Sequence, residues 1–217
     1  MTHKKSELLW PTQCFHYTYD NWAQEKDKVL NVIYNKVDKQ PEPIASRVAP
    51  YIKPKLLEGF GDFLNSPNVA VRNLKYFMRD SLIDMYKNHI HDFDEPKTDE
   101  FDVDIFESWY HVANDGASHG FHTHPTVDWA CIFYAQTGDC SLETNNGINR
   151  FYNFNTMVHG DGYGSKYWHG RFHYDFEPVE GDMIIFPGWL PHEATPYTGK
   201  DDRIVISINT RFNLGRQ

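Results

Sequence analysis

The chain has 217 residues, of which 40% are hydrophobic and 24% charged, and a formal net charge of −9. These proportions exclude a disordered chain, and a chain of this length can bury roughly 70% of its unfolded surface in one core without staples. No apolar run reaches the ~20 residues of a membrane-spanning helix. No apolar stretch follows the charged N-terminal residues, so no secretory leader is expected. Cys14, Cys131 and Cys140 are odd in number and never spaced C-x-x-C. That pattern excludes a disulfide framework and a cysteine zinc site, and predicts a reducing, cytoplasmic setting.

The charge is uneven. Residues 1–100 carry 14 Lys+Arg against 15 Asp+Glu, whereas residues 101–217 carry 7 against 15. A net of −8 over the second half makes it a poor surface for a phosphate backbone, so no nucleic-acid partner and no membrane are expected. Aromatic residues reach 16%, beside 12 histidines, a composition that points to a pocketed enzyme more than to a docking module.

In chain order, residues 1–102 read as a helical support layer. From Asp20, a candidate N-cap, apolar positions recur at helical spacing through Trp22, Val29, Leu30, Ile33 and Val37. Pro41, Pro43, Pro50 and Pro54 then break the pattern into turns. Ser66 and Pro67 read as the cap and first residue of a second helix, whose stripe is Val71, Leu74, Phe77, Met78, Leu82, Met85 and Tyr86. The acidic segment 91–102 reads as a solvated connection. From residue 103 to 217 short β-prone runs take over: Ile105–Ala113, Trp129–Ala135, Met183–Phe186 and Ile204–Thr210. Separated by turn residues without helices between them, they predict a mainly β sandwich or jelly roll behind N-terminal helices, forming one integrated domain. The stretch from Thr144 to Tyr174 is too long for an ordinary connection and reads as an insertion.

The chemistry centres on Gly120-Phe121-His122-Thr123-His124-Pro125. Two imidazoles at i and i+2 at a strand end can point to one side and share a metal ion. A strand follows at once. Later, Gly181-Asp182-Met183-Ile184-Ile185-Phe186-Pro187 feeds a segment ending near His192, and Arg203 opens the last strand. Three protein ligands on one face of iron(II) leave positions for a chelating 2-oxo acid and for O₂. The distal carboxylate of 2-oxoglutarate then needs a cation, for which the planar, permanently charged arginine fork is suited.

The combination resembles the iron(II)/2-oxoglutarate oxygenases of double-stranded β-helix (cupin-like) fold, and within them the branch of marine bacteria and phages with a His-x-His…His…Arg pattern. The matching pieces are Ser108-Trp109, His122-Thr123-His124-Pro125 with its strand ending in Tyr134, and Pro178-x-x-Gly181-Asp182-x-x-x-Phe186-Pro187. Leu190-x-His192 and Arg203-x-x-x-Ser207-x-Asn209 complete them, over roughly residues 105–212. The resemblance implies iron ligation by His122 and His192, a 2-oxoglutarate anchor at Arg203, and supporting hydrogen bonds from Ser207 and Tyr134. It implies a dioxygenase hydroxylating a small metabolite, amino acid or peptide with release of succinate and CO₂. Most such oxygenases carry Asp where His124 stands. A three-histidine site, His122, His124 and His192, is the first expectation; the alternative turns Asp128 inward and leaves His124 beside the metal. A bulky imidazole at position 124 argues against the halogenating relatives, which carry a small residue there.

Two other readings use the same residues. A cupin would bind metal through three histidines and Asp128 without 2-oxoglutarate, and would have no need of Arg203. A jelly-roll binding module would leave the histidines incidental, although it has no need of two close imidazoles, a distal one and an arginine in this order. Within the insertion, Tyr163, Tyr167, Trp168, His169 and Arg171 are candidates for the substrate mouth or for an ordinary surface flap. His169 and His173 are candidates for substrate binding. His3, His16, His89, His91, His111, His119 and His159 read as surface or hydrogen-bonded core residues.

Overall fold

A computed structural model of the chain describes residues 12–37, 56–59, 61–90, 101–153 and 172–214. Its elements are β1 (Phe15–Thr18), α1 (Trp22–Val37), β2 (Leu57–Gly59), α2 (Val69–Asp84), β3 (Phe101–Ala113), β4 (Ala117–His122) and β5 (Trp129–Gln136). They continue with β6 (Asn149–Tyr152), β7 (His173–Phe176), β8 (Asp182–Pro187), β9 (His192–Tyr197) and β10 (Arg203–Leu214). The strands form a six-stranded sheet in the order β1-β8-β5-β10-β3-β2 and a four-stranded sheet in the order β4-β9-β6-β7. All paired neighbours are antiparallel. From β3 to β10 the chain passes between the two sheets to build the jelly roll of a double-stranded β-helix, and β1 and β2 extend the larger sheet at its edges.

The alternation along β10 explains how one sheet serves two cores. Ile204, Ile206 and Ile208 point to the helical layer, while Val205 points between the sheets. The inward face also carries Arg203, Ser207 and Asn209, all buried. On β5, Cys131, Phe133 and Ala135 meet the helices, and Ala130, Ile132 and Tyr134 turn inward. The outer core is completed by Trp22, Val29, Leu30 and Ile33 of α1 and by Val71, Leu74, Met78 and Leu82 of α2. Each large aliphatic side chain so buried contributes about 1.5–3 kcal/mol.

Several sequence expectations are corrected here. The cap of α2 is Asn68, whose side chain accepts from the amides of Ala70 and Val71, rather than Ser66 with Pro67 in the first turn. The N-terminal half is not purely helical, because β1 and β2 belong to the larger sheet. Strand β3 begins at Phe101, within the segment read as a connection. The insertion 144–174 is not one loop: Asn149–Tyr152 forms β6 in the smaller sheet and His173 begins β7. These short, polar-rich strands lack the apolar alternation that identifies a strand, and partners far along the chain hold them in place. Residues 91–100 and 154–171, with Pro41, Pro43, Pro50 and Pro54, lie outside the described residues. No helix among the described residues is long and apolar enough to cross a membrane.

Candidate metal centre

The histidines of the site are brought together by strand register. In the pairing of β4 with β9, His122 lies directly opposite His192, and two register shifts in β4 sit just before it. His124 lies beyond the strand, in a loop pinned by its own amide to the Gly188 carbonyl at 2.8 Å and by the Gly188 amide to the Asp128 carbonyl at 3.1 Å. Gly188 is required by this close approach, since a Cβ there would collide with the Val127 carbonyl and sit 2.9 Å from that of His124.

The imidazole nitrogens of His122, His124 and His192 lie within 4.8 Å of one another, the arrangement of a possible metal site. Their hydrogen bonds settle which nitrogens face inward. His122 Nδ1 lies 2.7 Å from the Gly120 carbonyl and His192 Nδ1 3.0 Å from that of Leu190. A carbonyl only accepts, so both Nδ1 atoms carry the proton and leave Nε2 with a lone pair. His124 Nε2 is 3.3 Å from His192 Nε2, so it faces the same point. Burial is the main reason that all three titrate low: His124 is pushed down to about 4, His122 is lowered, and His192 lies well below the ordinary value of 6.5. Mutual repulsion of the rings adds to it. Three neutral imidazoles with converging lone pairs fit a borderline divalent metal such as iron(II).

The cluster opens into a small cavity whose walls include Trp109, Phe186, Asn149, Val205, Ser207 and Arg203. Arg203 is 2% exposed. Its Nη2 donates 2.6 Å to Asn149 Oδ1, which also accepts from the Tyr134 hydroxyl at 3.0 Å. Its Nε has no hydrogen-bond partner and, among the described residues, no carboxylate pairs with it. A buried cation left without an anion is costly, so this corner of the cavity fits an anionic ligand. Ser207, two positions beyond Val205 on the inward face, lies on the same wall. Tyr134 is fully buried, which raises its hydroxyl pKa and keeps it a neutral donor.

Asp128 stands apart from the cluster: its carboxylate accepts from the Phe212 amide at 2.7 Å and ties down the end of β10. Three residues of the cavity were not singled out by their sequence context. Asn149 lies in the stretch read as an insertion. His119 stacks on His122 at 4.1 Å and lines the cavity. His111 also lines it, and its Nε2 lies 2.6 Å from the buried Glu58 carboxylate. Only strand alternation from His111 to Trp109 and Ala113 could have hinted at this. Of the other histidines, His16 packs on Phe176, His89 meets Asp84 at 3.2 Å, and His173 meets Asp175 at 3.5 Å. His3, His91, His159, Tyr163, Tyr167, Trp168, His169 and Arg171 lie outside the described residues.

No curated protein matches the chain. Among solved structures, a Pseudomonas putida prolyl-4-hydroxylase superposes with a TM-score of 0.59 at 14% identity, covering 92% of each chain. A Trichoplax adhaerens prolyl hydroxylase in complex with a hypoxia-inducible-factor peptide gives 0.60 at 10% identity, covering 91% of this chain and 82% of its own. HygX from Streptomyces hygroscopicus, with nickel and 2-oxoglutarate bound, gives 0.57 at 11% identity over 94% and 84%. Identities this low speak for the jelly-roll fold alone. The family comparison speaks for the chemistry: residues 107–209 match the family described as "Putative 2OG-Fe(II) oxygenase". That span runs from the second half of β3 to Asn209 and contains the whole histidine cluster and Arg203; residues 107–209 are a 2OG-Fe(II) oxygenase domain, and the chain is an oxidoreductase that depends on iron(II) and 2-oxoglutarate.

Proposed function

We propose that His122, His124 and His192 hold the iron(II), that Arg203 anchors 2-oxoglutarate, and that the chain hydroxylates a small metabolite, amino acid or peptide with release of succinate and CO₂. The observation that carries this reading is the buried guanidinium of Arg203, without a carboxylate partner among the described residues, in the same cavity as three converging imidazoles. A cupin reading leaves that cation unexplained, and its fourth ligand, Asp128, is engaged with backbone.

Bound together, iron(II) and 2-oxoglutarate supply the O₂-dependent oxidative chemistry of this family. The chain's own part is positioning and exclusion of water. The Nδ1 contacts to Gly120 and Leu190 fix the tautomer and aim of His122 and His192. Arg203 offers its fork to a distal carboxylate, with one arm held by Asn149. Tyr134 steadies the same Asn149 oxygen, and Ser207 offers a hydroxyl on the neighbouring wall. Phe151 and Phe186 pack on His192, at 5.3 and 4.6 Å between ring centroids, and keep the back of the cluster dry. Support for a neutral or cationic substrate comes from the acidic second half of the chain. A peptide substrate has a parallel in the Trichoplax enzyme, whose structure holds one.

The test is anaerobic addition of iron(II) and then 2-oxoglutarate while the visible spectrum is recorded. Chelation of the 2-oxo acid is expected to produce a weak charge-transfer band that Arg203→Ala abolishes at the same 2-oxoglutarate concentration. Iron binding with no response to 2-oxoglutarate would sink the assignment of Arg203 and return the cupin reading.

A further inference from the structure

Behind the cavity wall lies a buried carboxylate that neither the histidine cluster nor Arg203 uses. Glu58 of β2 stands directly opposite His111 of β3, and His111 directly opposite Val205 of β10, so the three share the inward face of the larger sheet. Glu58 is 3% exposed. Its Oε1 accepts from His111 Nε2 at 2.6 Å, and its Oε2 is buried without a hydrogen-bond partner. Among the described residues no lysine or arginine pairs with it. Arg203 lies opposite Ala113 and turns its Nη2 to Asn149. From His111, which lines the cavity, contacts run on to the cluster. Its ring meets His119 edge to face at 5.0 Å between centroids, and His119 stacks on His122 at 4.1 Å.

Holding His111 in place takes one neutral acceptor, which a glutamine would supply, whereas burying a carboxylate is costly. The charge itself therefore needs a counterpart. Three neutral imidazoles provide one, because they leave the full +2 of a bound ion uncompensated. We propose that Glu58 is the counter-charge of the metal centre, supplying from behind His111 and His119 the negative charge that a ligand carboxylate would otherwise bring; this rests on the reading of the three histidines as ligands. A divalent ion repels a further cation in the same cavity, so His111 stays neutral, with its Nε2 proton on Glu58, and the pair keeps one negative charge facing the ion. The rings between them screen that charge far less than water would.

Cobalt(II) serves as the probe, since its visible bands report ligand geometry and its affinity can be measured by chelator competition. Glu58→Gln keeps an acceptor for His111 and removes the charge. It is expected to weaken cobalt binding about 10–100-fold while the bands stay in place, because the ligands themselves do not move. His124→Asp puts a carboxylate into the ligand set and lowers the net charge of the centre by one. In that background the loss caused by Glu58→Gln is expected to be about half as large on a logarithmic scale. Wild-type affinity in Glu58→Gln would overturn the proposal. So would shifted bands, or an equal loss in both backgrounds, since either would make Glu58 a packing group. Should Glu58→Gln fail to fold, Glu58→Leu, which leaves no buried polar group in its place, takes over with the same expectations. A wild-type protein that binds no cobalt, or a His192→Ala variant that binds it unchanged, would instead overturn the ligand reading and this proposal with it.

Discussion

Lowering the pH in the presence of a strong chelator should destabilise this protein through its clustered buried histidines, and the size of the effect can be worked out. His124 is held neutral in the fold down to about pH 4, and His192 lies well below its ordinary 6.5, both because burial penalises the charged ring. In the unfolded chain both titrate near 6.5. Above that value the two states bind the same protons and these groups leave stability unchanged. As pH falls through 6.5 the unfolded chain takes up protons that the folded one refuses, so stability is lost, and for His124 the loss continues until about pH 4. One pH unit below the unfolded value, His124 costs about 1.4 kcal/mol, and His192 adds a loss of the same sign. For a chain of this size the His124 share alone corresponds to a fall of about 3–6 °C in melting temperature. The assay is thermal melting of wild type and of the His124→Ala/His192→Ala double variant between about pH 7.5 and about pH 5.5. Only the difference between their pH slopes is read, which removes the distant carboxylates from the comparison. Equal slopes would refute the claim that these rings are buried neutral.

Two further predictions concern the frame. Gly188→Ala presses a methyl against the Val127 and His124 carbonyls, so the loop that carries His124 must shift. It is expected to cost about 1–3 kcal/mol in a denaturant titration and to weaken metal binding at least about tenfold; unchanged metal affinity would show that the loop yields without moving His124. Ile206→Ala empties a fully buried position on the helix-facing side of β10 and is expected to cost about 2–5 kcal/mol while metal affinity holds. A loss below about 1 kcal/mol would contradict the packing described for that core.

The main elements were legible in sequence wherever a local pattern carried them. The stripe of α2 and the short β-prone runs that form β5, β8 and β10 are properties of neighbouring residues. His122, His124 and His192 and the arginine at the head of β10 stood out by residue type and order. Other features depend on partners far along the chain. Strand β6 exists because Asn149–Phe151 finds β9 on one side and β7 on the other; nothing within its four residues demands a strand. The same pairing carries Asn149 to Arg203. Whether Asp128 or His124 joins the cluster could not be read from spacing; it was decided when the Asp128 carboxylate reached the Phe212 amide, 84 positions away. His119, unremarkable in sequence, acquires its place only once two sheets close around one cavity. Local chemistry named the clustered histidines; long-range register decided what surrounds them.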